Sequence, residues 1–138
     1  MTMASILMAA SAAIVLFLAT AHLAFTFWGT KLHPRDTALI DRMKEVSPVL
    51  TRQTTMWKAW IGFNASHSYG AQLFGLVYGY LALAHPAFLF QSAFLLALGL
   101  VFLVAFAFLG KLYWFKTPYR GVLMALTLYV AALLAPLM

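Results

Sequence analysis

The stretch WKAWIGFNASHSYGAQLFGLVYGYLAL, residues 57–83, is the most informative part of the sequence. It is long and apolar, but it carries a run of polar side chains in its first half. A membrane-spanning helix needs about 20 mainly apolar residues. Polar groups are costly in hydrocarbon, so they face other parts of the protein or serve a function. We therefore expect a helix that crosses a membrane and holds the candidate site. Its polar side chains are Asn64, Ser66, His67, Ser68, Tyr69 and Gln72.

The composition supports a membrane environment for the whole chain. Of its 138 residues, 64% are hydrophobic and only 9% are charged, whereas a soluble domain is about a quarter charged. A chain of this length forms one domain and cannot bury that much apolar surface by folding on itself. We therefore predict a single membrane domain over residues 1–138. The absence of cysteine excludes disulfides, thiolate metal sites and thiol nucleophiles.

Runs of about 20 apolar residues predict an all-α bundle of four transmembrane helices. The first run has no basic residue before it and is longer than the apolar part of a typical secretion signal, so we interpret it as a retained span. The predicted spans are about 4–28, 58–83, 87–112 and 119–137.

The loop over residues 29–57 has a helical pattern of its own. Asp36 can cap a short helix, and Ser47 and Pro48 would end it. Its apolar residues fall on one face, which predicts an amphipathic helix lying in the membrane interface. These apolar residues are Leu39, Ile40, Met43 and Val46.

The basic residues predict the topology. The middle connection, residues 84–87, has none of them. The positive-inside rule therefore places the two basic connections in the cytoplasm and both termini in the periplasm of a bacterial inner membrane. All nine Lys and Arg lie in or beside those connections: Lys31, Arg35, Arg42, Lys44, Arg52 and Lys58 at the first, and Lys111, Lys116 and Arg120 at the second.

The net charge of +6 is explained by this topology and by attraction to anionic lipid headgroups. Nucleic-acid binding would need a contiguous basic face with interleaved aromatic residues, so we exclude nucleic acid as a partner. The expected partners are membrane lipids, with a homodimer or a larger membrane complex left open.

Helical geometry gathers the polar residues of the second predicted span on one face. At about 100° per residue, that face contains Trp57, Trp60, Asn64, His67, Ser68, Ala71, Gly75, Tyr78 and Gly79. The opposite face, which we expect to contact lipid or a neighbour, contains Phe63, Leu73, Phe74, Leu76, Val77 and Leu81. The second span therefore has a polar side suited to packing against another helix.

The first predicted span has a matching stripe that includes His22 and Thr26. Counting from the nearest tryptophan at a rise of 1.5 Å per residue, His22 and Asn64 lie at about equal depth, and His67 lies about one turn deeper. We therefore expect the two stripes to meet. The predicted ligand-binding residues are His22, Thr26, Trp60, Asn64, His67, Ser68, Gln72 and Tyr78.

Small residues four apart indicate close helix packing at two places on the second span. The first set is Gly62, Ser66 and Gly70, and the second is Ala71, Gly75 and Gly79.

The acidic residues limit the chemistry. All three, Asp36, Asp41 and Glu45, lie in the first loop. A Ser-His-Asp triad or a pair of catalytic carboxylates inside the membrane is therefore excluded. No nucleotide-binding or zinc-protease motif occurs. We predict no catalytic residue and expect the protein not to be an enzyme.

Four interpretations of the polar face remain. It can hold the bundle together by hydrogen bonds, each worth about 1 kcal/mol or less. It can bind an amphiphilic ligand or a partner membrane protein without catalysis, which is the function we favour. It can ligate b-type haem or a metal through His22 and His67, as an electron-transfer subunit. Finally, the chain can be a dimeric small-molecule transporter.

Two observations weigh against the haem or metal site and against the transporter. His22 and His67 are predicted to lie at unequal depths, which disfavours them as haem ligands, and a divalent metal held by two histidines alone would bind weakly. A proton-coupled exporter would want a carboxylate in its spans, and these have none. We expect no cofactor, with haem b as the alternative.

Residues 56–70, MWKAWIGFNASHSYG, resemble a family of small uncharacterised bacterial four-helix membrane proteins. The resemblance covers most of the chain. It implies a membrane fold but no activity, cofactor or site residue.

Overall fold

The fold is all-α, as predicted. The computed structural model describes residues 1–135, which are 81% helical and contain no strand. The helices of this described part are α1 (Met3–Phe27), α2 (Thr37–Glu45), α3 (Met56–Ala84), α4 (Pro86–Gln91), α5 (Ala93–Tyr113) and α6 (Lys116–Leu134). The predicted end of the last span, residue 137, lies outside the described residues.

Within residues 1–135, three helices are long and apolar enough to cross a membrane: α1, α5 and α6. The remaining predicted span lies in α3, which has 29 residues and is the longest helix described. This helix is not among the three, and it carries the run of polar side chains in its first half. The three apolar helices indicate a membrane protein.

The predicted helix over residues 87–112 is interrupted at Ser92. This residue has extended backbone angles (φ −91°, ψ 95°) and separates α4 from α5. Its hydroxyl accepts a hydrogen bond of 3.3 Å from the backbone N–H of Leu95, so it caps α5. Pro86 occupies the first turn of α4, where its missing N–H costs nothing. Ser92, which follows Gln91 inside a long apolar run, is thus a helix boundary.

The short helix predicted in the first loop is present as α2. The Asp36 carboxylate accepts a 2.9 Å hydrogen bond from Ala38 N–H and caps its start. The helix ends at Glu45, because Val46 is extended. Upstream, α1 ends at Phe27, and Gly29 has a φ of +85°, a left-handed conformation that favours glycine.

The chain divides into two compact units. The larger unit consists of residues 1–18 together with the chain from Ala71 onward, and the smaller unit is Ala19–Gly70. In the larger unit, the Ser11 hydroxyl donates to Ala125 O at 2.7 Å. The hydroxyls of Tyr78 and Tyr129 donate to the carbonyls of Leu95 and Leu96 at 2.6 and 2.9 Å. Buried hydroxyls thus join helices of this unit.

An aromatic row also crosses the larger unit. The ring of Phe74 stacks on those of Tyr78 and Phe102, with centroid separations of 4.5 and 4.6 Å. Phe74 is only 6% exposed. Of the face expected to contact lipid or a neighbour, Phe74 thus contacts a neighbouring helix, since Phe102 lies on α5, whereas Leu73 and Leu76 are exposed.

Candidate functional site

The smaller unit brings together the polar side chains of α1 and α3. The Nε2 atom of His22, on α1, lies 3.0 Å from Oδ1 of Asn64, on α3. Asn64 is buried and His22 is half-buried. The expected meeting of the two polar stripes is thus seen at these two residues.

The hydrogen bonds of Asn64 fix the proton on His22. The Asn64 amide nitrogen donates to the backbone carbonyl of Trp60 at 2.8 Å. A carbonyl only accepts, so the amide nitrogen must face it and Oδ1 must face His22. Oδ1 also only accepts, so Nε2 of His22 carries the hydrogen. When this ring is neutral, its Nδ1 is therefore the nitrogen with the lone pair.

His67 lies beside His22. Their ring centroids are 5.5 Å apart and their planes meet at 76°, an edge-to-face arrangement. On its other side, His67 stacks with Phe63 at a centroid distance of 6.4 Å, and Phe63 is 70% exposed. Both imidazoles are half-buried. The pair is thus within reach of a molecule at the outer surface of α3.

Ser68 and Thr26 support the helices rather than extend the cluster. The Ser68 hydroxyl donates to Asn64 O at 3.0 Å, and the Thr26 hydroxyl donates to His22 O at 2.8 Å. Each acceptor is the carbonyl four residues earlier on the same helix, a common arrangement for hydroxyls in membrane helices. Both side chains are buried.

Trp60, another predicted ligand-binding residue, is bonded to the loop. Its indole N–H donates to Leu32 O at 3.1 Å. The neighbouring Trp57 ring contacts His33 edge-to-face, with centroids 5.0 Å apart. The two tryptophans therefore fasten the chain after α1 to the first turns of α3, a role that the sequence did not reveal.

Gln72 and Tyr78 belong to the larger unit, whereas His22, Asn64 and His67 belong to the smaller one. Gln72 is half-buried. The Tyr78 hydroxyl is bonded to Leu95 O.

The two sets of small residues differ in their surroundings. Gly62, Ser66 and Gly70 are exposed, and a Cβ atom added at either glycine would meet nothing within 4 Å. At Gly75, an added Cβ would lie 2.7 Å from Leu16 Cβ and 2.9 Å from Ala12 O. At Gly79 it would lie 3.6 Å from Ala12 Cβ. Ala71 is buried. Close helix contact is thus seen at the second set.

Residues 1–135 contain no group of three or more His, Asp or Glu side chains placed to hold a metal ion. The pair formed by His22 and His67 is therefore the arrangement to be weighed for a metal or haem. Of the other histidines, His33 contacts Trp57, and His85 Nε2 lies 3.1 Å from the Tyr80 hydroxyl.

Comparison with known proteins adds no function. The chain shows no significant match to a family model, a curated protein or a solved structure. The resemblance of residues 56–70 to small bacterial membrane proteins thus gains no support from these comparisons.

Proposed function

We propose that the protein is a non-catalytic integral membrane module of four spans, which binds the polar head of an amphiphilic molecule at His22 and His67. The observation that carries this proposal is the His22 ring, whose tautomer is fixed by Asn64. A half-buried imidazole with a defined acceptor nitrogen suits a head group that donates a hydrogen bond, such as a lipid hydroxyl. The exposed Phe63 beside His67 offers an apolar surface for the chain of the same molecule.

The length of α3 supports the proposal of a fourth span in addition to α1, α5 and α6. Its 29 residues correspond to about 43 Å at 1.5 Å per residue, which exceeds the roughly 30 Å hydrocarbon core. Its polar first half is compatible with a membrane because its side chains find partners within the protein. The Asn64 amide and the Ser68 hydroxyl are both bonded to carbonyls of α3 itself.

The contacts of the first loop support an interfacial position for α2. Before α2, the His33 ring contacts Trp57; after α2, the Val46 carbonyl accepts a 2.9 Å hydrogen bond from Met56 N–H. Both flanking segments are thus fastened to the first turn of α3, at about the same level along its axis. These two attachments support the proposal that α2 lies in the membrane interface. Tryptophan at this level is typical of the headgroup zone.

The distribution of basic residues supports a bacterial inner membrane with both termini in the periplasm. Because the chain has no cysteine, single cysteines can test this topology. With a membrane-impermeant maleimide, Gln53→Cys and Thr117→Cys should be labelled from the cytoplasmic side, and His85→Cys from the periplasmic side. Labelling of positions 53 and 117 from opposite sides would contradict four spans.

The binding proposal is tested by lipid retention. The protein is extracted mildly from its native membrane, and bound amphiphiles are measured by native mass spectrometry and lipid analysis. His67→Ala should lower the retained ligand about tenfold, since a lost contact to a binding group is worth about 1.4 kcal/mol. Ser66→Ala is the matched control, because Ser66 is exposed on the same helix and its hydroxyl is bonded to Phe63 O.

Unchanged retention in His67→Ala together with lower thermal stability would contradict the binding proposal. It would show that the histidines only hold α1 and α3 together. Retention that is lost equally in His67→Ala and Ser66→Ala would contradict it as well, because the ligand would then not depend on the imidazole.

A haem- or metal-bearing electron-transfer subunit is the second candidate, favoured by the 5.5 Å separation of the two imidazoles. It would require His22 to bind through Nδ1 or to give up its hydrogen bond to Asn64. Optical spectra of oxidised and dithionite-reduced protein, with metal analysis, distinguish the two candidates. Soret and α bands that disappear in both His22→Ala and His67→Ala would establish the second candidate.

A further inference from the structure

The segment between α2 and α3 is a closed loop. The Met56 N–H to Val46 O hydrogen bond joins its two ends at 2.9 Å. Inside it, Thr51 N–H donates to Pro48 O at 3.2 Å, and Gln53 N–H donates to the Thr51 hydroxyl at 3.1 Å. These bonds give the loop a defined shape of its own, as in compact surface loops of this length.

Two apolar side chains occupy the tip of this loop. Val49 and Leu50 lie between Pro48 and Thr51, at the centre of the hydrogen-bonded turn. Their relative exposures are 109% and 94%, the highest among the large apolar side chains described. Turn centres are usually occupied by glycine, proline or small polar residues. A well-formed turn that presents valine and leucine to the outside therefore requires an apolar environment to cover them.

The charges around the tip point to the chemistry of that environment. The carboxylates of the first loop are already engaged: Asp36 caps α2, and Asp41 and Glu45 form ion pairs with Lys44 and Arg42 at 3.5 and 3.1 Å. Arg52 and Lys58, which follow the tip in the sequence, form no ion pair with any residue that the structure describes. An apolar tip flanked by unneutralised cations is complementary to a bilayer surface with anionic headgroups.

We propose that Val49 and Leu50 insert into the boundary between headgroups and acyl chains of the anionic cytoplasmic leaflet, while Arg52 and Lys58 contact lipid phosphates. The loop closes at Met56, next to Trp57, so its base lies at the level of α3 where a headgroup zone is expected. This insertion is independent of ligand binding at His22 and His67. It adds a second membrane contact outside the spans.

The test uses the full chain with a single cysteine at the tip. Leu50→Cys is labelled with the polarity-sensitive dye NBD and reconstituted into vesicles of phosphatidylglycerol and phosphatidylcholine. Some of the lipid carries a doxyl quencher near the top of its acyl chain. Gln53→Cys is the matched control, since it is an exposed polar position of the same loop.

We expect NBD at position 50 to be quenched at least about threefold more strongly than NBD at position 53, because only the apolar tip enters the lipid. Arg52→Gln should lower the ratio of inserted to free tip about fivefold on the same vesicles, the effect of one basic residue at an anionic surface. Equal quenching at the two positions would overturn the proposal. A blue-shifted but unquenched dye at position 50 would also overturn it, because the tip would then be covered by protein.

Discussion

The two halves of α3 use similar residues for different purposes. In the second half, Gly75 allows α1 to approach so closely that an added Cβ would lie 2.9 Å from the Ala12 carbonyl oxygen. In the first half, Gly62, Ser66 and Gly70 are also spaced four residues apart. A Cβ atom added at either glycine would meet nothing within 4 Å. In this first half, α3 contacts α1 through polar side chains, among them the hydrogen-bonded pair His22 and Asn64. The second half therefore packs closely against α1, whereas the first half contacts α1 through hydrogen bonding and ring contacts.

Among the substitutions considered, Gly75→Ala is expected to lower the free energy of unfolding most. In Gly75→Ala the new methyl group would meet Ala12 O, Leu16 Cβ and Leu16 Cα at 2.7–3.0 Å, and two of these atoms belong to the α1 backbone. Backbone atoms cannot turn away, so α1 would have to move. We expect the free energy of unfolding in mixed micelles to fall by about 3 kcal/mol, the upper range for overpacking.

Gly62→Ala and Gly70→Ala are the controls for Gly75→Ala. Both positions are helical and have room for a methyl group, and alanine is the better helix former by up to about 1 kcal/mol. These variants should therefore be as stable as the native protein or slightly more so. A comparable loss of stability at Gly62 or Gly70 would show that both halves of α3 are closely packed.

The second largest effect is expected at Asn64. Asn64→Ala removes the acceptor for His22 Nε2–H and so a hydrogen bond between α1 and α3 in the smaller unit, while the ring contact of His22 with His67 stays. We expect a loss of about 1 kcal/mol in unfolding free energy, typical of a hydrogen bond between membrane helices. Ser66→Ala, two residues away on an exposed face, should cost almost nothing. Equal effects of the two substitutions would mean that the polar bond does not stabilise the first half.

Much of this comparison could be predicted from the sequence, because helical periodicity and depth depend only on residue spacing. His22 and Asn64 were predicted to meet by counting residues from Trp28 and Trp57, and they do. Spacing could not show which small residues pack closely, because that depends on where the neighbouring backbone runs. Gly62 and Gly75 are therefore indistinguishable in the sequence but not in the structure.

The remaining differences have local causes. Ser92 is the extended residue that follows α4, and its hydroxyl caps α5 by accepting a bond from Leu95 N–H. The long apolar run around it gave no sign of this boundary. The angular position of Phe74 predicted contact with lipid or a neighbour and could not distinguish the two, and the ring of Phe102 on α5 is that neighbour. The sequence did not predict the exposed pair Val49 and Leu50, because two adjacent apolar residues in a loop form no repeating pattern. Their exposure results from the turn closed by the bond from Thr51 N–H to Pro48 O.

A smaller effect is expected at Tyr129, in the larger unit. This residue is fully buried, and its hydroxyl donates to Leu96 O at 2.9 Å. Tyr129→Phe keeps the ring and removes only that bond, so we expect the free energy of unfolding to fall by about 0.6 kcal/mol. The loss should be smaller than in Asn64→Ala, because the larger unit also has the bonds of Ser11 and Tyr78 and the close packing at Gly75. A loss larger than that of Asn64→Ala would reverse this ranking.

The smallest effect is expected at Trp60, where the first half of α3 holds the loop. Trp60→Phe keeps an aromatic ring and removes the indole N–H that donates to Leu32 O. Since Trp60 is 40% exposed, this bond is worth only about 0.5 kcal/mol. Global stability should hardly change, but the segment before α2 should open about twice as often, and tryptic cleavage after Arg35 should accelerate by the same factor. Trp28→Phe is the control, since that side chain is 72% exposed. If cleavage accelerates equally in both variants, the indole bond of Trp60 does not hold the segment before α2.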